Sequence, residues 1–148
     1  MIRRKDNWPE LLGHYEDISS SHELPFQWGV RDCCTLACDA VQHITGVDVM
    51  EELRGYRSAL EAARRLKRFA GGGLEEAAAK IAEQFGLPEI APGLAQRGDV
   101  VLVDVETPEG ASVALAYVCT NGMDMATTAP SGVLFLPVSA GRRAWRIG

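Results

Sequence analysis

Long apolar runs are missing from this chain. None reaches the ~18 residues that a membrane-spanning helix needs, and the basic start (Arg3, Arg4, Lys5) is not followed by the apolar core of a secretory signal. The chain therefore reads as made in a cytoplasm, with no membrane span. Positive charge is also short: 15 Lys and Arg stand against 20 Asp and Glu, a net charge of −5. That balance argues against nucleic acid or anionic membranes as general partners, and the short basic start reads as a solvated terminus. Aromatics make up only 7%. Trp8, Trp28 and Trp145 accordingly read as core residues before carbohydrate platforms, with Trp28 the one placed to line a groove. Repeats, low-complexity tracts and linkers are absent, so the 148 residues read as one domain able to bury a core of its own.

Cysteine and histidine are scarce, and their placement excludes further classes. Of four cysteines, Cys33, Cys34 and Cys38 crowd one segment and Cys119 stands alone. This is not the spaced framework of a disulfide-rich secreted domain. A zinc site usually shows two short Cys or His pairs separated by a loop. Here one cluster has no matching pair, so no cofactor is implied. Cys34, Cys38 and Cys119 read as small buried hydrophobes, against the alternative of a metal or iron–sulfur site. The three histidines are His14, His22 and His43, all in the first third of the chain.

What the chain does have is one chemically suggestive run, Phe26-Gln27-Trp28-Gly29-Val30-Arg31-Asp32-Cys33-Cys34-Thr35-Leu36. It reads as a tight turn that delivers a cysteine to the first turn of a buried helix. Asp32 suits the N-cap, where its carboxylate can accept an orphan backbone N–H. Apolar residues then fall at 33, 36, 37, 40, 41 and 44, a helical stripe, and Gly46 supplies the stop. The helix dipole at this end would favour a Cys33 thiolate. A thiolate nucleophile also needs a base.

The rest of the first half reads helical: 9–19, then 58–69 with Ser58 and Glu61 as a capping box, then 74–85 after the break at Gly71-Gly72-Gly73. The second half reads as strands at 99–105, 113–120, 123–128, 132–138 and 143–147, with Asn121-Gly122 as a two-residue hairpin turn. Helices first and an antiparallel sheet after them define an α+β domain, with Cys33 at the start of the central helix.

Asp32-Cys33 opening a helix, and Arg97-Gly98-Asp99-Val100-Val101-Leu102, resemble the Asp-Cys-Ser-Gly motif and the Gly-Asp strand of NlpC-type cell-wall peptidases, which have a papain-like fold. The whole chain is more similar still to a family of small phage and gene-transfer-agent tail proteins with an NlpC-like fold. The matching pieces are Pro25-Phe26, Trp28-Gly29, Asp32-Cys33, Thr45-Gly46-Val47-Asp48, Arg54-Gly55-Tyr56, Gln96-Arg97-Gly98-Asp99-Val100, Gly132 to Pro137 and Ala144-Trp145-Arg146. The resemblance implies a virion tail-tip or baseplate component, made in a bacterial host, whose partners are other tail-tip and hub proteins.

The same resemblance locates a defect. Active NlpC-type enzymes carry a general-base histidine on the strand after the Gly-Asp strand. By the Asn-Gly turn, that position falls on Ala114, and the third polar position falls among Met125, Ala126 and Thr127. The motif's Ser-Gly is Cys34-Thr35. Cys33 is thus the candidate nucleophile of an incomplete dyad, with Trp28, Asp32 and Ala114 expected to line the cleft. His43 lies ten residues beyond Cys33, ~15 Å along the same helix. His14 is on the first helix, and only His22 could fold back on the thiol. Three readings follow: a tail-tip structural protein on a decayed peptidase fold, an active endopeptidase cutting peptidoglycan with an unrecognised or borrowed base, and a metal or iron–sulfur protein.

Overall fold

Local chemistry fixes the helices before any packing does. In the computed structural model, which describes residues 2–20 and 24–148, α1 is Trp8–Ser19, α2 Thr35–Thr45, α3 Ala59–Ala70 and α4 Leu74–Phe85. Half of the expected α3 capping box forms: Ser58 Oγ accepts the Glu61 N–H at 3.1 Å, while the Glu61 carboxylate takes the N–H of Arg57, one residue before the cap, at 3.1 Å. The stripe predicted for α2 is buried. Leu36, Ala37, Ala40, Val41 and Ile44 are each no more than 3% exposed, while Cys33 at its head is half-buried.

The second half forms one six-stranded sheet: β1 Glu89–Ile90, β2 Val100–Thr107, β3 Gly110–Val118, β4 Asp124–Ala129, β5 Gly132–Pro137 and β6 Gly141–Trp145. Its order is β1-β6-β2-β3-β4-β5, and every pair is antiparallel. The class is α+β, as the sequence predicts.

Both faces of this sheet are covered, which is why β2 reads as an unbroken apolar run. On one face Val100, Leu102, Leu115, Tyr117 and Ala126 meet the stripe of α2. On the other, Val101, Val103, Ala114, Ala116, Val118 and Met125 form a second cluster, closed by Ala95, Ile90 and Val138. The two clusters are separated by the sheet itself. α1 is fastened to α2 from outside, with Leu12 fully buried and the Tyr15 hydroxyl donating to the Leu36 carbonyl at 2.7 Å.

Three local expectations are corrected. The 106–112 segment is not a loop: Glu106 pairs with Ala111 and Thr107 with Gly110, leaving Pro108 and Glu109 as the turn. The β3–β4 connection is not a two-residue turn either. Cys119 N–H bonds the Asp124 carbonyl at 2.8 Å across four intervening residues. Asn121 Oδ1 fills that loop by accepting the Met123 and Asp124 N–H groups at 2.9 and 3.0 Å. Finally, regular α2 begins at Thr35, so Cys33 sits in the turn leading into it.

Candidate functional site

One carboxylate shapes the turn that carries Cys33. Asp32 is fully buried. Its Oδ1 accepts the Cys34 and Thr35 N–H groups at 2.8 and 2.9 Å, and its Oδ2 accepts the Gly29 N–H at 2.7 Å and the Tyr56 hydroxyl at 2.6 Å. Thr35 Oγ1 returns a bond to the Asp32 N–H at 2.9 Å. Asp32 therefore does the work of the predicted N-cap. The Leu36 N–H also reaches the Asp32 carbonyl, at 3.4 Å, so helical winding starts here although the regular helix starts later.

The partner at Oδ2 explains two glycine and tyrosine positions at once. Gly29 has φ +80°, and a Cβ there would lie 2.1 Å from the Tyr56 carbonyl oxygen. No other residue fits that approach. Burial pushes the Tyr56 hydroxyl pKa up, so it remains a donor to Asp32. Arg54 secures the same loop by bridging Asp39 of α2 at 2.6 Å and Asp48 at 2.7 Å.

Cys33 enters the sheet where two strands part. β3 and β4 pair at Tyr117–Ala126 and Val118–Met125 and no further. Beyond that point the Leu115 N–H turns to the Cys33 carbonyl at 2.8 Å, and the Leu115 carbonyl accepts the Thr127 hydroxyl at 2.8 Å. The cysteine turn is thus wedged against β3, one residue from Ala114. Ala114 is fully buried, in the cluster against which Cys33 packs.

The surroundings of the thiol are apolar. Cys33 touches both core clusters. A cavity of about 30 Å³ beside it is lined by Trp28, Cys34, Met50, Leu53 and Tyr56, room for about one water. Trp28 is half-buried, its ring edge-to-face with Phe26 at 4.9 Å. Among the described residues no side chain hydrogen-bonds Cys33 Sγ, and only a backbone N–H favours its charged form. Burial, with the Asp32 charge adding, pushes its pKa up to about 12. The predicted thiolate is therefore corrected: burial and the neighbouring Asp32 charge favour the protonated thiol.

The other expected players lie elsewhere. His14 and His43 stack on each other at 5.7 Å between α1 and α2. His22 lies outside the described residues. Met125 and Ala126 are buried apolar positions and Thr127 is engaged with Leu115, so none of the three offers a free polar group. Cys34 is buried against Met50, Sγ to Sδ 4.0 Å. Cys119 sits beside Glu16 of α1, which together with burial pushes its thiol up. No group of three His, Cys, Asp or Glu that could hold a metal ion occurs among the described residues. Nor is any helix among them long and apolar enough to cross a membrane. Tyr56 and Leu115 were not anticipated as site residues, because no local pattern ties either to Cys33.

A half-buried thiol in an apolar wedge, held by the hydrogen-bonded knot around Asp32, defines an α+β protein with no base assembled beside Cys33 from the described residues. A family model described as a domain of unknown function (DUF6950) matches residues 3–147, and the chain belongs to that family. Comparison with curated proteins gives no match, and neither does comparison with solved structures.

Proposed function

We propose that the protein is a structural component of a phage tail tip, docked to hub or baseplate proteins. Its scaffold is an NlpC-type, papain-like peptidase fold whose catalysis has decayed. The observation that carries the loss of catalysis is the setting of Cys33: a sulfur with no side-chain hydrogen-bond partner among the described residues, a pKa pushed up to about 12, and buried Ala114 next to the strand residue that bonds its carbonyl. A cysteine peptidase needs a thiolate and an acid to protonate the leaving amine. Among the described residues this arrangement supplies neither. The tail-tip assignment rests on the family resemblance of the ordered motifs from Pro25 to Arg146.

Docking then falls to exposed loops on the rigid scaffold. The candidates are the Gly71-Gly72-Gly73 bend, the Pro108-Glu109 hairpin tip and the shallow groove by Trp28 and Cys33. A specific contact with a hub chain would bury about 1,200 Å² or more in total. Two measurements test the reading. Isolated protein and Cys33→Ser should both leave peptidoglycan fragments intact; cleavage that vanishes in the variant restores the active endopeptidase. The protein should also be found in purified particles, and deleting its gene should impair their assembly or infectivity. Unchanged, infectious particles would overturn the structural role.

A further inference from the structure

The conspicuous charge in this molecule lies away from the cysteine, at a corner where three separate chain segments meet. Arg4 is threaded into it: Nε donates to the Ile147 carbonyl at 2.6 Å, one terminal nitrogen to the Arg97 carbonyl at 2.6 Å, and the other to Asp99 Oδ1 at 2.9 Å. The Trp8 ring lies under two guanidinium groups, Arg4 at 4.2 Å and Arg97 at 5.2 Å. Arg146 completes the wall of an open pocket of about 260 Å³.

The charges in this pocket do not balance. Asp99 is 1% exposed, and its oxygens are taken by Arg4 and by the Ile147 and Gln96 N–H groups. It neutralises Arg4 and has nothing left for the others. Arg97 and Arg146 are exposed, and neither forms an ion pair among the described residues. Arg146 makes one long contact, to the Leu94 carbonyl at 3.5 Å. Burial lowers the Arg4 pKa, and the charges of Arg97 and Arg146 push the same way while Asp99 opposes. Two guanidinium groups without ion-pair partners among the described residues, Arg97 over the Trp8 ring and Arg146 beside it in the pocket wall, form an oxyanion receptor around a scaffold held by Arg4.

We propose that this corner binds a carboxylate presented by an acidic peptide segment of a partner protein, the acid held by Arg97 and Arg146. The volume suits one side chain and is below the usual range for a whole cofactor. The net charge of −5 disfavours a long polyanion approaching the molecule and leaves a single local acid favoured. The site stands apart from the Cys33 cleft and does not depend on what that cleft does.

The test follows the Trp8 indole N–H and the arginine Nε–H signals by NMR during titration of the full chain. The probes are a blocked Gly-Glu-Gly peptide, its Gly-Gln-Gly counterpart and inorganic phosphate. Saturable shifts with the Glu peptide are expected, with none from the Gln peptide. Binding should weaken about tenfold or more in Arg97→Gln/Arg146→Gln. Both positions are exposed, so the variant should unfold at the same temperature as the parent, which a melt checks. Absence of shifts, equal shifts with the Gln peptide, or binding unchanged in the double variant would overturn the site. A response to phosphate but not to the Glu peptide would overturn the carboxylate assignment.

Discussion

Asp32 and Asp99 are buried almost equally, at 0% and 1% exposed, in opposite surroundings. Asp32 is held by neutral donors alone, three backbone N–H groups and a phenol. Asp99 is held by a guanidinium and two backbone N–H groups. Around Asp32 the neighbours are apolar and burial raises the Cys33 pKa; around Asp99 three arginines gather. Each acid nonetheless does one job, tying distant segments together. Asp32 joins Gly29, the α2 start and Tyr56, and Asp99 joins Arg4, Gln96 and Ile147. Both stand in motifs that resemble catalytic landmarks. The difference between the two ends shows that two motif acids of equal burial can tie the fold together by different means, one through neutral donors and one through a guanidinium.

The largest expected effect probes how dry the Asp32 end is. Each pH unit between the ordinary cysteine value of 9.0 and about 12 is tenfold, so at neutral pH the Cys33 thiolate fraction should be about a thousandfold below that of an ordinary cysteine. Alkylation at Cys33, read by mass spectrometry, should therefore keep rising with pH through 10 with no plateau. A plateau near pH 7 would mean that a base reaches the thiol. The sign for stability follows. The unfolded thiol loses its proton first, so between about 9 and about 12 the folded state binds more protons. Cys33 thus contributes stability that is full below the unfolded pKa and lost as pH rises through the folded one.

Next come the two acids themselves. Asp99→Ala leaves Arg4 charged and largely buried and strands the Ile147 and Gln96 N–H groups. A loss of about 3–5 kcal/mol is expected in denaturant unfolding. Asp32→Ala removes a helix cap and strands a buried phenol, for about 2–4 kcal/mol. Tyr56→Phe in the Asp32→Ala background should then cost much less than in the parent, since its partner is gone. If Asp32→Ala proved costlier than Asp99→Ala, the ranking of a carboxylate held by neutral donors below one paired with a guanidinium would be wrong.

The sequence made the scaffold of this comparison visible and its chemistry only partly so. α4 was predicted at its observed limits because Gly73 and Gly86 bracket a clean apolar period. The strand ends shifted by up to three residues, the start of β3 the most. Glu89–Ile90 is too short to carry a pattern, and the polar Glu106–Thr107 pair hid a continuing hairpin. At the site, Asp32 and Cys33 were legible because capping is local. Tyr56 reaches Asp32 across 24 residues, and Arg4 reaches Asp99 across 95. No spacing rule spans such separations. The thiolate expectation failed for the same reason: the dipole is written in the local sequence, whereas desolvation depends on everything folded around the sulfur.

The smallest effect separates two neighbouring hydroxyls beside the opened strand pair. Thr127 and Thr128 are both buried, at 0% and 1% exposed. Thr127 Oγ1 donates to the Leu115 carbonyl at 2.8 Å, while Thr128 Oγ1 has no partner among the described residues. A buried hydroxyl without a partner costs free energy, and valine has nearly the same shape without the oxygen. Thr128→Val should therefore stabilise the protein by about 1 kcal/mol. Thr127→Val should destabilise it by about the same amount, because the Leu115 carbonyl loses the donor it gained when β3 left the ladder. Denaturant midpoints at unchanged slope give both values. A destabilised Thr128→Val would show that its hydroxyl is satisfied in solution, and the apolar end would then be wetter than the packing around Cys33 indicates.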